Sequence, residues 1–182
     1  MDLLLHACCG PCSAYSTFEL GEEGIRPTLF YYNPNIHPYR EWQTRRDNLQ
    51  ILAEDRGLPL WVDEEYDLNT FLQESLNRGK DRCLFCYRTR LERTAQKAKE
   101  EGFNAFSTTL LISPYQRHEV LRATGEELGK KYGVEFLYRD FRPGFRQSQE
   151  MAKSMGLYRQ GYCGCIFSEM ERYRKPNRDK KA

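Results

Sequence analysis

Long apolar runs are missing from this sequence. No stretch approaches the roughly 20 consecutive apolar residues that a helical bilayer span needs, so an integral membrane protein of that kind is excluded. A basic leader is missing too. "MDLLLHACC" holds too few apolar residues for the core of a secretory signal, and a lipoprotein-type cleavage before Cys8 fails for the same reason. The expectation is a cytoplasmic protein with no membrane partner. Excess charge of one sign is also lacking, because Lys and Arg number 28 against 26 Asp and Glu. Nothing global therefore marks nucleic acid. No repeat, low-complexity tract or linker interrupts the 182 residues, which predicts one domain over 1–182, large enough to bury a core without disulfide staples. What local basic excess there is lies at the end. "RYRKPNRDKKA", a tail at about 172–182, has six basic residues and one acidic, suited to a phosphate backbone or to plain solvation.

Cysteine is what the chain has in quantity. Seven are present, an odd number that cannot all pair within one chain, and a reducing compartment disfavours structural disulfides. All seven fall in clusters: Cys8, Cys9 and Cys12 in "HACCGPCS", Cys83 and Cys86 in "CLFC", and Cys163 and Cys165 in "CGC". "CGPC" is the tetrapeptide of thioredoxin-type oxidoreductases, and a thiolate at a helix N-terminus has a lowered pKa. A thiol-disulfide oxidoreductase, however, needs only Cys9 and Cys12. Clustered thiolates suit soft metals, and four complete one zinc site or one 4Fe-4S cluster. A closed zinc site leaves three unexplained, whereas a redox cluster beside a second metal or a reactive thiol pair accounts for all. A zinc-bound RNA-interaction module and ordinary buried cysteines remain the competing explanations.

Apolar and polar runs alternate as strand, helix, strand, helix. "DLLLHA", "RPTLFYYN", "LPLWVDEEYD", "FNAFSTTLLIS" and "VEFLYRDF" read as strands. "SAYSTFELGEEG", "YREWQTRRDNLQILAEDRG", "NTFLQESLNRG", "CYRTRLERTAQKAKEEG", "SPYQRHEVLRATGEELGKKYG" and "SQEMAKSMGLY" read as helices, several closed by glycine. This order predicts an α/β fold with a mainly parallel central sheet and helices on both faces. Ligands bind beyond the carboxyl ends of such strands. The rule gathers "CCGPC" with the loops at 32–39, 63–67, 111–118 and 139–144 into one edge.

Other polar residues are less specific. His6, inside the first strand, reads as a satisfied core histidine. His37 and His118 fall in edge loops, as an acid or a substrate contact. Asp140 offers an oxygen ligand, a cap or a salt bridge. The aromatics of "FYYNPNIHPY" and "LYRQGYCGC" suit either base stacking or the core.

Taken together, "HACCGPCS", "YNPNIHP", "RCLFCYRTRL", "TTLLISPYQRH", "DFRPG" and "YRQGYCGCIFSE" resemble the QueH family of epoxyqueuosine reductases, from the first strand to about Glu169. The resemblance implies the last step in making queuosine, a modified guanosine at the wobble position of certain tRNAs. The epoxide oxygen is removed to leave a cyclopentene ring, without cobalamin, using a 4Fe-4S cluster and an additional mononuclear iron. It also implies a relation to the adenine nucleotide alpha hydrolase-like (HUP) domains of tRNA-thiolating enzymes. There a glycine- and serine-rich phosphate loop follows the first strand. "CCGPCS" stands in that place here, so no ATP chemistry is expected.

Epoxide removal consumes two electrons and two protons and releases water. The partition expected on this resemblance gives Cys8, Cys9, Cys83 and Cys86 to the cluster, and Cys12, Cys163, Cys165 and Asp140 to the second iron. Tyr162, Tyr115, His118 and His37 are the candidate proton donors. Arg117, Arg159 and the basic tail are candidates for the phosphates of the anticodon stem. The implied partners are tRNA containing epoxyqueuosine and an electron donor that the sequence does not name.

Overall fold

The computed structural model describes residues 1–174. Apart from its first three residues, the expected basic tail lies outside them. Five strands, β1 (Leu3–His6), β2 (Thr28–Tyr31), β3 (Leu60–Val62), β4 (Ala105–Thr108) and β5 (Glu135–Phe136), form one parallel sheet in the order β3-β2-β1-β4-β5. Helices α1 (Gly10–Glu22), α2 (Tyr39–Arg56), α3 (Leu68–Arg78), α4 (Arg82–Glu100), α5 (His118–Tyr132), α6 (Phe145–Ser154) and α7 (Ile166–Tyr173) surround it. The α/β class with helices on both faces is as the sequence leads one to expect.

Every residue of β1 and β4 is buried, which is why "LLL" reads as an unbroken apolar run and not an alternating one. Truncating any of these leucines to alanine removes about 2–5 kcal/mol of stability. Right-handed crossovers fix the layers. The links from β1 to β2 and β2 to β3 run one way along the sheet and put α1 and α2 on one face, where α6 joins them. The links to β4 and β5 run the other way and put α4 and α5 on the opposite face.

Direction therefore reverses between β1 and β4, the switch point at which a crevice opens in such sheets. His6 lies beside Thr108 there, in register across the two strands.

Boundaries depart from the sequence pattern at places that matter. Helix α1 begins at Gly10, not Ser13, because Cys9 caps it and Pro11 is tolerated in a first turn. Helix α4 begins at Arg82, so Cys83 and Cys86 lie about one turn apart at its N-terminal end. The expected fourth strand stops at Thr108, and Thr109–Ile112 form a 3-10 turn. Helix α7 follows the third cysteine group where no element was expected. Among the described residues no helix is long and apolar enough to cross a membrane.

Candidate metal centre

The first cysteine group is built by the turn from β1 into α1. Cys9 is the N-cap, and its Sγ accepts from the Cys12 amide at 3.4 Å. One helical turn then brings the Sγ atoms of Cys8, Cys9 and Cys12 within 4.8 Å of one another, and Cys8 and Cys9 sulfurs lie 3.7 Å apart. Gly10 permits this placement, since a Cβ there would meet the Asn48 carbonyl of α2 at 2.9 Å. From the 3-10 turn after β4, Thr109 donates to Cys8 Sγ at 3.6 Å.

The three thiols share one negative charge readily and further charge poorly. Hydrogen bonds from Cys12 and Cys9 hold the Cys8 thiol well below its ordinary range. Burial pushes Cys9 up, and the hydrogen bond with Cys8 pushes Cys12 up. A bound cation is what would let all three ionise.

The second and third groups form a single one. Cys83 and Cys86 from α4 and Cys163 and Cys165 from the loop before α7 line one cavity of about 70 Å³. Burial pushes Cys83 up and Cys86 to about 12, so as bare thiols they stay protonated. Asn35 and Ser75 line the same cavity, and Asn35 Oδ1 and Ser75 Oγ are buried without partners. Polar atoms are rarely left so in a folded core, which fits a space meant to be filled by a polar group.

Buried and half-buried side chains that pattern alone did not single out hold these cysteine segments. Arg45 of α2, 1% exposed, pairs with Glu41 at 2.7 Å and donates to the carbonyls of Cys163 at 2.8 Å and Tyr162 at 3.1 Å. Gln160 Nε2 donates to Cys9 Sγ at 2.9 Å, linking the third loop to the first group. Gln116, held by the Tyr87 hydroxyl at 2.6 Å, donates to Cys163 Sγ at 3.4 Å. Arg90, a helical turn beyond Cys86, donates to its Sγ at 3.1 Å. Its spacing from Cys86 is the one sequence signal that could have found it.

Cys8 and Cys9 stand with Cys12, while Cys83 and Cys86 stand with Cys163 and Cys165, because α4 and the 163–165 loop meet across the cavity. Asp140 is turned to Arg142, at 2.6 Å, and this partner holds its carboxyl below the usual range. It serves here as the salt bridge the sequence also allowed.

The candidate proton donors differ in what they touch. His37 is buried. Its Nδ1 accepts from the Ile166 amide at 3.2 Å, its Nε2 donates to the Pro34 carbonyl at 3.1 Å, and its own amide donates to Gly164 at 2.8 Å. It pins the cysteine loop. The Tyr162 hydroxyl donates to the His37 carbonyl, and burial raises its pKa to about 12. Tyr115 is 84% exposed, edge-on to Phe145. His118, buried at the start of α5, donates from Nε2 to Ser113 at 3.1 Å, while Nδ1 has no partner. His6 is a satisfied core residue as read, bonded to Thr108 at 2.9 Å and Tyr32 at 3.2 Å, and burial lowers its pKa to about 4.

Comparison with known proteins fits this arrangement of sulfurs. A predicted subunit of tRNA methyltransferase from Methanocaldococcus jannaschii has a similar fold, with a TM-score of 0.57 over 84% of this chain and 76% of that one. At 13% identity it speaks to fold alone. Two proteins named epoxyqueuosine reductase QueH are much more similar. The one from Dehalococcoides mccartyi is 39% identical, covering 96% of each chain. The one from Thermotoga maritima is 35% identical, covering 95% of this chain and 93% of its own. The family model described as epoxyqueuosine reductase QueH matches residues 3–171, nearly the whole sequence and every cysteine in it, and on that ground this chain belongs to the QueH family.

Proposed function

We propose that this chain is an epoxyqueuosine reductase that deoxygenates epoxyqueuosine to queuosine at the wobble position of tRNA, using a 4Fe-4S cluster and an adjacent iron. The observation that supports it best is the grouping of the seven thiols at the carboxyl edge of the sheet, three with sulfurs within 4.8 Å of one another and four lining one cavity. The donor set suits iron and sulfide, and the unpartnered Asn35 and Ser75 atoms suit a polar occupant of the cavity.

Cys83, Cys86, Cys163 and Cys165 supply four thiolates, the full complement of a 4Fe-4S cluster. Cys8, Cys9 and Cys12 would supply three thiolates to the second iron. Bound there, such metals supply electrons and Lewis acidity for opening a carbon-oxygen bond. The overall change adds two electrons and two protons to the epoxide and releases one water and an alkene.

The chain's own residues do the rest. His118, whose Nε2 bonds the Ser113 carbonyl and whose Nδ1 has no partner, is the residue we assign to relaying a proton to the departing oxygen. His37 and Arg45 keep the 163–165 loop in place. Arg117 and Arg159, both exposed and without a carboxylate partner among the described residues, bind anticodon-stem phosphates.

The test is to purify the protein without oxygen and measure iron, zinc and acid-labile sulfide per chain, then to assay tRNA carrying epoxyqueuosine. Iron somewhat above about four per chain, about four sulfides and conversion to queuosine under reduction are expected. One zinc and no sulfide would point instead to an RNA-interaction module, and no metal at all to a dithiol at Cys9 and Cys12.

A further inference from the structure

Arg90 sits on the inner side of α4 and is 2% exposed. Its Nη2 donates to Cys86 Sγ at 3.1 Å and its Nε to the Cys86 carbonyl at 3.2 Å. Among the described residues it makes no ion pair with any carboxylate, whereas Arg45, the other deeply buried arginine, has Glu41. A guanidinium taken out of water carries a large desolvation penalty, and a neutral thiol offsets little of it. A thiolate offsets much more. Besides Cys86, the cysteines whose charge Arg90 feels most are Cys163 and Cys8, one from each sulfur group.

We propose that Arg90 is the buried counter-cation of the metal centre, a positioning residue that orients the Cys86 sulfur as a ligand and offsets the negative charge of the loaded thiolates. This rests on the reading of the cysteines as metal ligands. Its consequence is a change of sign. In the metal-free chain Arg90 is a charge without a partner and weakens the fold, while in the loaded chain it is compensated and strengthens it. A side chain that merely fills space would act the same way in both states. Reduction adds negative charge to the centre, so a neighbouring buried cation also raises its potential.

The experiment compares the wild type with Arg90→Met and Arg90→Lys, all prepared without oxygen and stripped of metal with a chelator. Melting temperature is measured on the stripped proteins. Binding of cobalt(II) alone is followed by its thiolate charge-transfer absorption, and iron content and midpoint potential are measured after reconstitution with iron and sulfide. The metal-free Arg90→Met variant should melt at or above the wild type, bind cobalt about 10-fold more weakly, and hold less iron at a lower potential. Arg90→Lys should recover most of the affinity and the potential, since it keeps the charge. Should the methionine variant not fold, Arg90→Gln reads the same quantities.

Unchanged cobalt affinity and potential in the neutral variants would overturn the proposal. So would a metal-free Arg90→Met protein that melts well below the wild type. If the wild type binds cobalt in an Arg90-dependent way but takes up no sulfide, the cluster reading falls and the role of Arg90 stands. If it binds no metal, both fall.

Discussion

Arg45 Nη1 donates to the carbonyl oxygen of Cys163 at 2.8 Å, so a helix that follows β2 holds a loop more than a hundred residues later. The same guanidinium holds Tyr162 and pairs with Glu41, whose side chain is only 11% exposed. Arg45→Met would leave Glu41 with a largely buried, uncompensated charge and two carbonyls without a donor. A loss of about 3 kcal/mol or more is expected in urea unfolding of the metal-free chain. Iron retained by the reconstituted protein should fall as the 163–165 loop loosens. A stability within about 1 kcal/mol of wild type would show that the arginine is not holding the loop.

His37 gives the fold a dependence on pH. Burial lowers its pKa below the ordinary 6.5, and Nδ1 can accept from Ile166 only while unprotonated. The unfolded chain therefore binds more protons than the folded one as pH falls through 6.5. Stability should be full above about pH 6.5 and decline below it, with His6 adding a decline in the same direction. His37→Asn keeps an acceptor but does not titrate. It should lower stability at neutral pH by about 1 kcal/mol and make the acid slope shallower by about one proton. Unfolding free energies of the metal-free proteins at about pH 7.5, 6.5 and 5.5 read both effects, and parallel slopes would sink the assignment.

The sulfur groups should behave as units. Cys83→Ser and Cys165→Ser, far apart in sequence, should remove the same share of iron and sulfide, and the double variant should lose little more than either single one. Cys9→Ser should produce a different deficit, with its own electron paramagnetic resonance signature. If Cys83→Ser instead matched Cys9→Ser and not Cys165→Ser, the grouping seen in the cavity would not be the grouping that binds metal.

Phosphate contacts are read by salt. Arg117→Gln and Arg159→Gln should each weaken tRNA binding and reduce the slope of log affinity against log salt by about 1, leaving iron content unchanged. An unaltered slope in both would place the RNA elsewhere on the surface.

Much of this molecule was legible in one dimension. The unbroken "LLL" and the alternation of strands with glycine-closed helices determined a parallel sheet. Gly57 does end α2 in the left-handed conformation, at φ 59°. The sheet rule then placed "CCGPC" and the loops at 32–39 and 111–118 on one edge. Helix α7 was not legible, because its eight residues are too few for the apolar spacing of Ile166, Met170 and Tyr173 to repeat over a window long enough to read.

The clustering of cysteines by itself pointed to soft metal or redox chemistry, since spacing of two or three residues fixes which sulfurs converge within one turn. Which clusters meet was decided only by the tertiary structure. Nothing local in "CLFC" says whether it will face "CCGPC" or "CGC"; the crossover that carries α4 over the sheet and the return of the chain past α6 decide that. The same holds for charge. Arg45 and Arg46 are neighbours and look alike in sequence, yet packing against the cysteine loop buries the first to 1% and leaves the side chain of the second 27% exposed. Burial is a property of what lies opposite a residue, and what lies opposite Arg45 comes from the far end of the chain.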